Sequence, residues 1–248
     1  TGVIRCAYIL WPPFMDKDVN TGKFSGMNYD FIEAVAKGLD MKVEWTAEIN
    51  PGEVESLRTG KADAICTAEG PIKPSSSRFL HYTEAMGYFP FFLYARSDDA
   101  RFSSYSKVND KAVRISVIDG DVSGQIVRNH FPLAQQISLQ QMGTPGQMML
   151  DVAGNKSDVV INDPLSMKEF MDNNPGKLKR VAGEKPIAVI PNTFSVLRGP
   201  GGLELTDLLN QAIKNLRNYG EAALILDKYS SGGDNLLYPI ADPYEVKQ

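Results

Sequence analysis

Acidic and aromatic side chains stand at the ends of several strand-like segments, where they could bind a positively charged small molecule. They are Glu69, Asp121 and Asp163, together with Tyr8, Trp11 and Trp45. Carboxylates pair with amines and guanidines. The face of an indole ring adds about 0.5–2 kcal/mol of attraction for a cation. If these side chains share one cleft, the sequence predicts a binding site for an amine, a guanidine or a quaternary ammonium compound.

All of these candidates except Tyr8 also have a purely structural explanation. Trp11 stands beside two prolines and is compatible with a buried loop aromatic, and Trp45 is equally compatible with the core. Asp163 precedes a proline, a pattern typical of a helix cap. Glu69 and Asp121 lie in predicted loops, where acids usually face solvent. The sequence leaves both explanations open for each of these residues.

Other kinds of chemistry have little support in the composition. The 248 residues include two cysteines, Cys6 and Cys66, and two histidines, His81 and His130, whose spacing fits no zinc site. Both cysteines lie in apolar strand-like runs, so we expect buried thiols, with a disulfide as the alternative. The net charge of −4 and the lack of a polybasic run argue against nucleic acid. The apolar stretches fall short of the ~18 residues that a membrane span needs.

The elements that position these residues alternate between strand and helix. Strands are predicted over 3–9, 42–46, 62–68, 112–118 and 158–161. Asn28, Thr144 and Asp163 are the predicted caps of helices, and a further helix spans 124–131. Helical patterns at 208–216 and 222–229 close the chain, which shows no repeat beyond the echo of two βαβ regions.

Two βαβ regions and two extended segments between them, near 90–96 and 187–197, predict a hinged α/β protein. Ligands of open α/β sheets bind at the carboxyl ends of the strands. Closure of a hinge would bury a small molecule between the two regions.

The order of several short motifs is similar to that of the bacterial extracellular solute-binding proteins of family 3. The motifs are Trp11-Pro12-Pro13-Phe14, Gly26-Met27-Asn28-Tyr29-Asp30-Phe31, Gly60-Lys61-Ala62-Asp63-Ala64-Ile65, Phe79-Leu80-His81-Tyr82-Thr83-Glu84 and Ser157-Asp158-Val159-Val160-Ile161-Asn162-Asp163. The C-terminal segment from Leu203 to Tyr229 also resembles the helices that end these proteins. The resemblance covers nearly the whole chain.

This resemblance implies a type II periplasmic binding protein, a two-lobe Venus-flytrap clamp with two hinge crossings. The first lobe would comprise residues 1–94 and 192–248, and the second residues 95–191. Trp11 would pack on the ligand, Asp163 would pair with its amino group, and the backbone of Thr67, Ala68 and Gly70 would meet it. No cofactor or metal is implied.

The sequence departs from this family where an arginine normally binds the carboxylate of an amino acid. That position falls on Ser75 or Ser76, and Arg78 follows two or three residues late. In the second lobe, Asp121-Val122-Ser123 replaces a hydroxyl-rich segment that normally meets the same carboxylate. An ordinary amino acid and a cationic or unusual solute therefore both remain open.

The resemblance implies a periplasmic receptor that delivers a small nitrogen-bearing solute to an ABC permease in the inner membrane. A monomer without nucleic-acid partners is expected, and the absence of a signal peptide before Thr1 is interpreted as a trimmed, mature secreted chain. The alternatives are the extracellular sensor domain of a membrane receptor and a lyase or dehydratase relative with Glu69 or Asp163 as acid or base.

Overall fold

The computed structural model describes residues 2–48, 52–70, 77–140, 144–182 and 185–230. The first elements are β1 (Val3–Tyr8), β2 (Asp16–Lys17), β3 (Phe24–Ser25), α1 (Met27–Gly38), β4 (Lys42–Ala47), α2 (Gly52–Arg58), β5 (Ala64–Glu69), β6 (Leu80–Tyr82) and β7 (Gly87–Arg96). They are followed by β8 (Arg114–Ile118), α3 (Val122–His130), β9 (Gln135–Leu139), α4 (Pro145–Ala153), β10 (Val159–Asn162), α5 (Pro164–Asn173), β11 (Leu178–Arg180), β12 (Ala188–Leu197), α6 (Pro200–Asn218) and α7 (Glu221–Ser230). Among the described helices, none is long and apolar enough to cross a membrane.

The main sheet contains two sets of parallel strands, in the order β4-β1-β5-β12-β7-β10-β8-β9. The first set is β1, β4 and β5, and the second is β8, β9 and β10. The long strands β7 and β12 run antiparallel to each other and connect the two sets. This arrangement confirms the predicted α/β clamp with two crossing strands.

The strand register shows that the carboxyl ends of both sets point towards the middle of the crossing strands. Glu69 ends β5 opposite Thr193, near the middle of β12, whereas Ala64 begins it opposite Val196 near the end. In the second set, Asn162 ends β10 opposite Phe92 in the middle of β7. The two carboxyl edges therefore border one cleft, and the two amino edges lie at opposite ends of the sheet.

Separate clusters of buried side chains support the two strand sets. One large cluster joins β1 and β5 to α1, α6 and α7. Two others lie on either face of the second set, with α3 in one and α4 in the other. The division into residues 1–94 with 192–248 and 95–191 stays a prediction.

The expectation of free thiols is wrong, because Cys6 and Cys66 form a disulfide. Strands β1 and β5 are neighbours, and Cys6 is in register with Ala64, so Cys66 lies on the same face one residue pair further on. The two Cα atoms are 5.5 Å apart. Burial of both residues was predicted correctly, but the pairing depends on strand order, which no local pattern gives.

The amino edges of the two sets share a short structural repeat that the sequence analysis missed. Asp63 accepts hydrogen bonds from the backbone N and Nε of Arg5, at 2.9 and 3.0 Å. Asp158 accepts the same two bonds from Arg114, at 2.9 and 3.0 Å. In both places a residue of positive φ, Gly60 or Asn155, stands three positions before the aspartate. We call this pair of arginine-to-aspartate hydrogen bonds a clasp. The same clasp joins the first strand of each set to its neighbour.

Candidate ligand-binding site

A tight turn carries Trp11 away from the carboxyl end of β1. The backbone N of Trp11 donates to the carbonyl of Met15 at 2.8 Å, and its carbonyl accepts from the N–H groups of Phe14 and Met15. The peptide bond between Pro12 and Pro13 is cis. The turn directs its remaining carbonyls towards the start of α1.

The turn caps α1 through the backbone. The N–H groups of Met27 and Asn28 donate to the carbonyls of Pro13 and Phe14, at 3.2 and 2.9 Å. Gly26 has a φ of 120°, and a Cβ atom there would lie 2.4 Å from the Phe14 carbonyl oxygen. Only glycine allows this close approach, so Gly26 fixes the turn that carries Trp11.

Asn28 does not cap α1 as predicted, because Gly26 occupies the cap position and the helix begins at Met27. Its fully buried side chain instead exchanges two hydrogen bonds with Asn192 of β12, at 3.1 and 3.2 Å. The pair ties the start of α1 to a crossing strand. Asn192, a polar residue in an apolar run, is a signal that the sequence analysis did not use.

Trp11 lies where the two strand sets approach each other. Its partly buried ring packs against the large cluster of the first set and against the α4-side cluster of the second. From the other side, Leu165 of α5 packs into the cluster of the first set. The post-β1 turn and the start of α5 therefore form facing walls of the cleft.

Asp163 stands directly after β10, at the cleft end of the second set. Its side chain caps α5 as predicted, since Oδ1 accepts a hydrogen bond from the Ser166 N–H at 2.8 Å. The residue is only 3% exposed, and burial raises the pKa of its carboxyl to about 6, against the effect of that hydrogen bond. Burial, and secondly the charge of Asp163, also raise the pKa of Tyr94. Among the described residues, no cation lies within ion-pair distance of Asp163.

Asp121, Val122 and Ser123 surround the start of α3, next to the end of β8. Asp121 caps the helix, its Oδ2 accepting from both the N–H and the hydroxyl of Ser123 at 3.1 and 2.9 Å. The side chains of Val122 and Ser123 are buried, and Val122 packs in the core. The helix begins at Val122, two residues before the predicted start. These side chains are engaged within their own segment.

Tyr8 and Trp45 belong to an aromatic cluster beside the carboxyl end of β1. The Tyr8 ring meets Phe24 and Trp45 edge-on, with centroids 5.1 and 5.7 Å apart. Tyr29 lies against Phe24 and Trp45 at 6.1 and 5.7 Å. Lys17 places its ammonium 4.8 Å from the Phe24 centroid. The cluster covers one face of the strand ends.

The end of β5 carries the next group of candidates. Thr67 and Gly70 are buried, and the backbone of Glu69 pairs with Thr193. Ala68 belongs to β5, but its side chain and that of Glu69 lie outside the described parts of the chain, as does Ser76. The structure thus places Thr67 and Gly70 at the carboxyl edge beside β12.

Arg78 does not join the other candidates. Its exposed guanidinium lies over the Phe79 ring, 4.5 Å from the centroid, beside Arg198. Leu197 pairs with Leu80, beyond the point where β12 meets the first residue of β5. Arg78 therefore lies at the amino edge of the first set, at the opposite end of its strands from Trp11. The sequence leaves open whether Arg78 reaches the ligand, and in this structure its guanidinium lies at the far edge of the strands.

Within the described residues, no group of three or more His, Cys, Asp or Glu side chains could hold a metal ion.

Two curated relatives are similar to the chain. A probable amino-acid-binding protein, YxeM of Bacillus subtilis, is 24% identical over 88% of this chain and 79% of its own length. A probable amino-acid ABC transporter-binding protein of Haemophilus influenzae is 22% identical over 85% and 77%.

Two solved structures share the fold. An ancestral arginine-binding protein bound to arginine has a TM-score of 0.79 at 21% identity, covering 93% of this chain and 99% of its own. The B. pertussis BvgS periplasmic domain has a TM-score of 0.78 at 20% identity, covering 94% and 44%. Residues 4–232 match one family throughout, and the chain belongs to the bacterial extracellular solute-binding proteins, family 3.

Proposed function

We propose that this protein is the periplasmic receptor of an ABC importer and captures a small amine-bearing solute between its two lobes. The solute is an amino acid, a derivative of one, or a cationic amine. The observation that carries the proposal is the meeting of both carboxyl edges at one cleft, with Trp11 on one wall and buried Asp163 beside the other. The names of the relatives support the amino-acid class and the importer.

The chemistry of Asp163 supports an amine. A carboxylate buried without a cationic partner is costly, and the raised pKa is the sign of that cost. A ligand ammonium beside it would supply the missing charge and a charge-assisted hydrogen bond. The Trp11 ring would cover the apolar part of the solute and attract its cationic end.

Whether the solute carries a carboxylate depends on an anchor that differs from the family pattern. The segment after β5 has serines where relatives place an arginine, and Arg78 lies at the far edge. Asp121 caps its own helix, since its Oδ2 accepts hydrogen bonds from Ser123. The arrangement therefore favours recognition of the amine over recognition of a carboxylate.

The test is a calorimetric titration with arginine, agmatine, glutamine and choline. Agmatine is arginine without its carboxylate, so the pair isolates that group. We expect agmatine to bind within about tenfold of arginine, a difference of about 1.4 kcal/mol. Binding of glutamine and arginine without agmatine would instead assign the site to ordinary amino acids. No binding by any of the four would contradict the proposal.

Hinge closure would couple binding to delivery. The solute contacts both lobes only when they approach each other. Binding therefore stabilises the closed state by the difference between the solute's affinities for the closed and open states. The closed form is the one that a permease would recognise. The protein acts as a monomer in this proposal and releases its solute unchanged.

A sensor domain is the second candidate, favoured by the structural likeness to the BvgS periplasmic domain. The two roles differ in the gene that encodes the chain. An importer receptor is encoded beside a permease, whereas a sensor continues into a transmembrane helix and a signalling domain. A lyase is distinguished from a binding protein by recovering the bound solute. If the solute is released unchanged and in stoichiometric amount, turnover is excluded.

A further inference from the structure

Three arginines converge at a surface cavity on the amino edge of the first strand set. The cavity has a volume of about 290 Å³ and is lined by Arg58, Arg78, Phe79, Leu197 and Arg198. Arg58 is the last residue of α2, and Arg198 follows the last residue of β12. The strand register places this cavity at the end of the first set opposite the cleft.

Two of the guanidinium groups lie over the ring of Phe79, and the third belongs to Arg198 at the end of β12. Arg78 and Arg58 place their Cζ atoms 4.5 and 5.6 Å from the centroid of Phe79. Arg198 is held by the backbone, because its Nε donates to the Leu80 carbonyl at 3.0 Å and its N–H donates to the Phe79 carbonyl at 2.7 Å. The ring and the strand end therefore hold three cations near one opening.

One described acid compensates part of this charge. Glu55 forms an ion pair with Arg58, 3.9 Å from Nε, and both side chains are more than half exposed, so solvent screens the pair. Neither Arg78 nor Arg198 makes an ion pair with a described residue. Like charges held together repel, and an anion between them would relieve that repulsion.

We propose that this cavity binds a small phosphate-type oxyanion. Guanidinium forks match the oxygens of phosphate with paired hydrogen bonds, and three of them suit a multiply charged group better than a single carboxylate. The cavity opens to solvent, so a hydrated anion can reach the guanidinium groups. The cavity lies apart from the cleft, so this proposal does not depend on the function proposed for the cleft.

The test is calorimetric titration of the whole chain with inorganic pyrophosphate at low salt. The variant Arg78→Gln removes a guanidinium that makes no hydrogen bond within the described chain, so we expect the variant to fold. The matched control is Arg128→Gln, an exposed arginine on α3 that donates to Gln125. We expect Arg78→Gln to weaken pyrophosphate binding at least about tenfold and Arg128→Gln to leave it unchanged.

Two results would overturn the proposal: no pyrophosphate binding by the wild type, or an equal loss in both variants, which would indicate nonspecific attraction. Phosphate could also come from a lipid headgroup, and vesicles of phosphatidylglycerol provide that arm. Vesicle binding that depends on Arg78 assigns the site to headgroups, and pyrophosphate binding that depends on it assigns the site to free anions. Titration in the presence of whichever of arginine, agmatine, glutamine and choline binds the protein should give the same pyrophosphate affinity, and competition between the two would contradict separate sites.

Discussion

In the proposed function, the carboxyl group of Asp163 has two tasks. Its Oδ1 caps α5 through the Ser166 N–H, which any helix start of this kind requires. Its burial at the cleft leaves the charge without a described cation. A cap alone would be served equally well by asparagine, so the acid is explained best by a positively charged solute.

The pKa of Asp163 predicts how binding responds to pH. Above about pH 6 the carboxylate is charged and ready to meet an ammonium. As the pH falls through about 6, a proton must leave before the amine can pair, so affinity should fall, approaching tenfold per pH unit. Titrations of agmatine between pH 5 and pH 8, at intervals of about one unit, measure this.

Asp163→Asn keeps the cap and removes the charge, so it should bind the amine more weakly and without this pH dependence. Asp172→Asn, on the exposed end of α5 beside Lys168, is the matched control and should behave as the wild type. In the unliganded protein, the free energy of unfolding should change with pH in the opposite direction to the affinity. The raised pKa of Asp163 favours the folded state most at low pH, where the carboxyl is protonated. An Asp163→Asn variant with the wild-type pH profile would reject this role.

At the scale of elements, the turn after β1 and the start of α1 form one unit. The carbonyls of Pro13 and Phe14 satisfy helix N–H groups, and Gly26 allows their approach. Asn28 could not be predicted in its real role because a distant strand supplies its partner, Asn192. Thr144 and Asp163 were predicted correctly as caps because their partners lie three residues away.

Gly26→Ala should therefore disrupt the unit that positions Trp11. The added Cβ would meet the Phe14 carbonyl at a φ that alanine rarely adopts, so we expect a loss of about 1–3 kcal/mol in the free energy of unfolding. Ligand affinity should fall as well. Gly38→Ala, at the other end of α1, meets no atom within 4 Å and should be neutral or stabilising. Urea unfolding of both variants checks this, and equal stabilities would refute it.

The two arginine–aspartate clasps offer an internal comparison. Asp158 is nearly buried among Arg101 and Arg114, at 2.7 and 3.0 Å, and their hydrogen bonds outweigh burial and hold its pKa below the usual range. Within the described parts of the chain, the side chain of Asp63 meets Arg5 alone, and that pair is much more exposed. Removing one partner of a buried pair costs about 3–5 kcal/mol, whereas exposed pairs contribute about 0–1 kcal/mol.

Asp158→Asn should therefore destabilise the protein by about 3 kcal/mol, and Asp63→Asn by about 1 kcal/mol. Denaturant unfolding of the two variants in the same buffer gives the difference directly. A larger loss for Asp63→Asn would mean that the geometry of the clasp, which the two sites share, matters more than its burial.

At the scale of the molecule, the order of strands and helices predicted the clamp, because alternation and capping are local signals that the sequence carries in full. Features that depend on which strands become neighbours were not accessible in this way. Strand order brings Cys6 and Cys66 together, and the register sends Arg78 to the far edge. Strand β9 was missed because Gln135-Gln136-Ile137-Ser138-Leu139 has few apolar residues.

The whole architecture follows from two facing carboxyl edges and two crossing strands. Trp11 and Leu165 already pack across the space between the strand sets, so the described arrangement is one in which the walls touch. In the proposed function, a solute enters when the walls separate and is enclosed when they meet. The central claim is that its ammonium group then lies between Asp163 and Trp11.

A crystal structure with the tightest-binding amine from the titrations tests this claim most directly. The account predicts that the ligand nitrogen lies within hydrogen-bond distance of an Asp163 carboxylate oxygen, with the Trp11 ring packed on the same ligand. A ligand bound elsewhere, or one in the cleft whose amine contacts neither Asp163 nor Trp11, would contradict it.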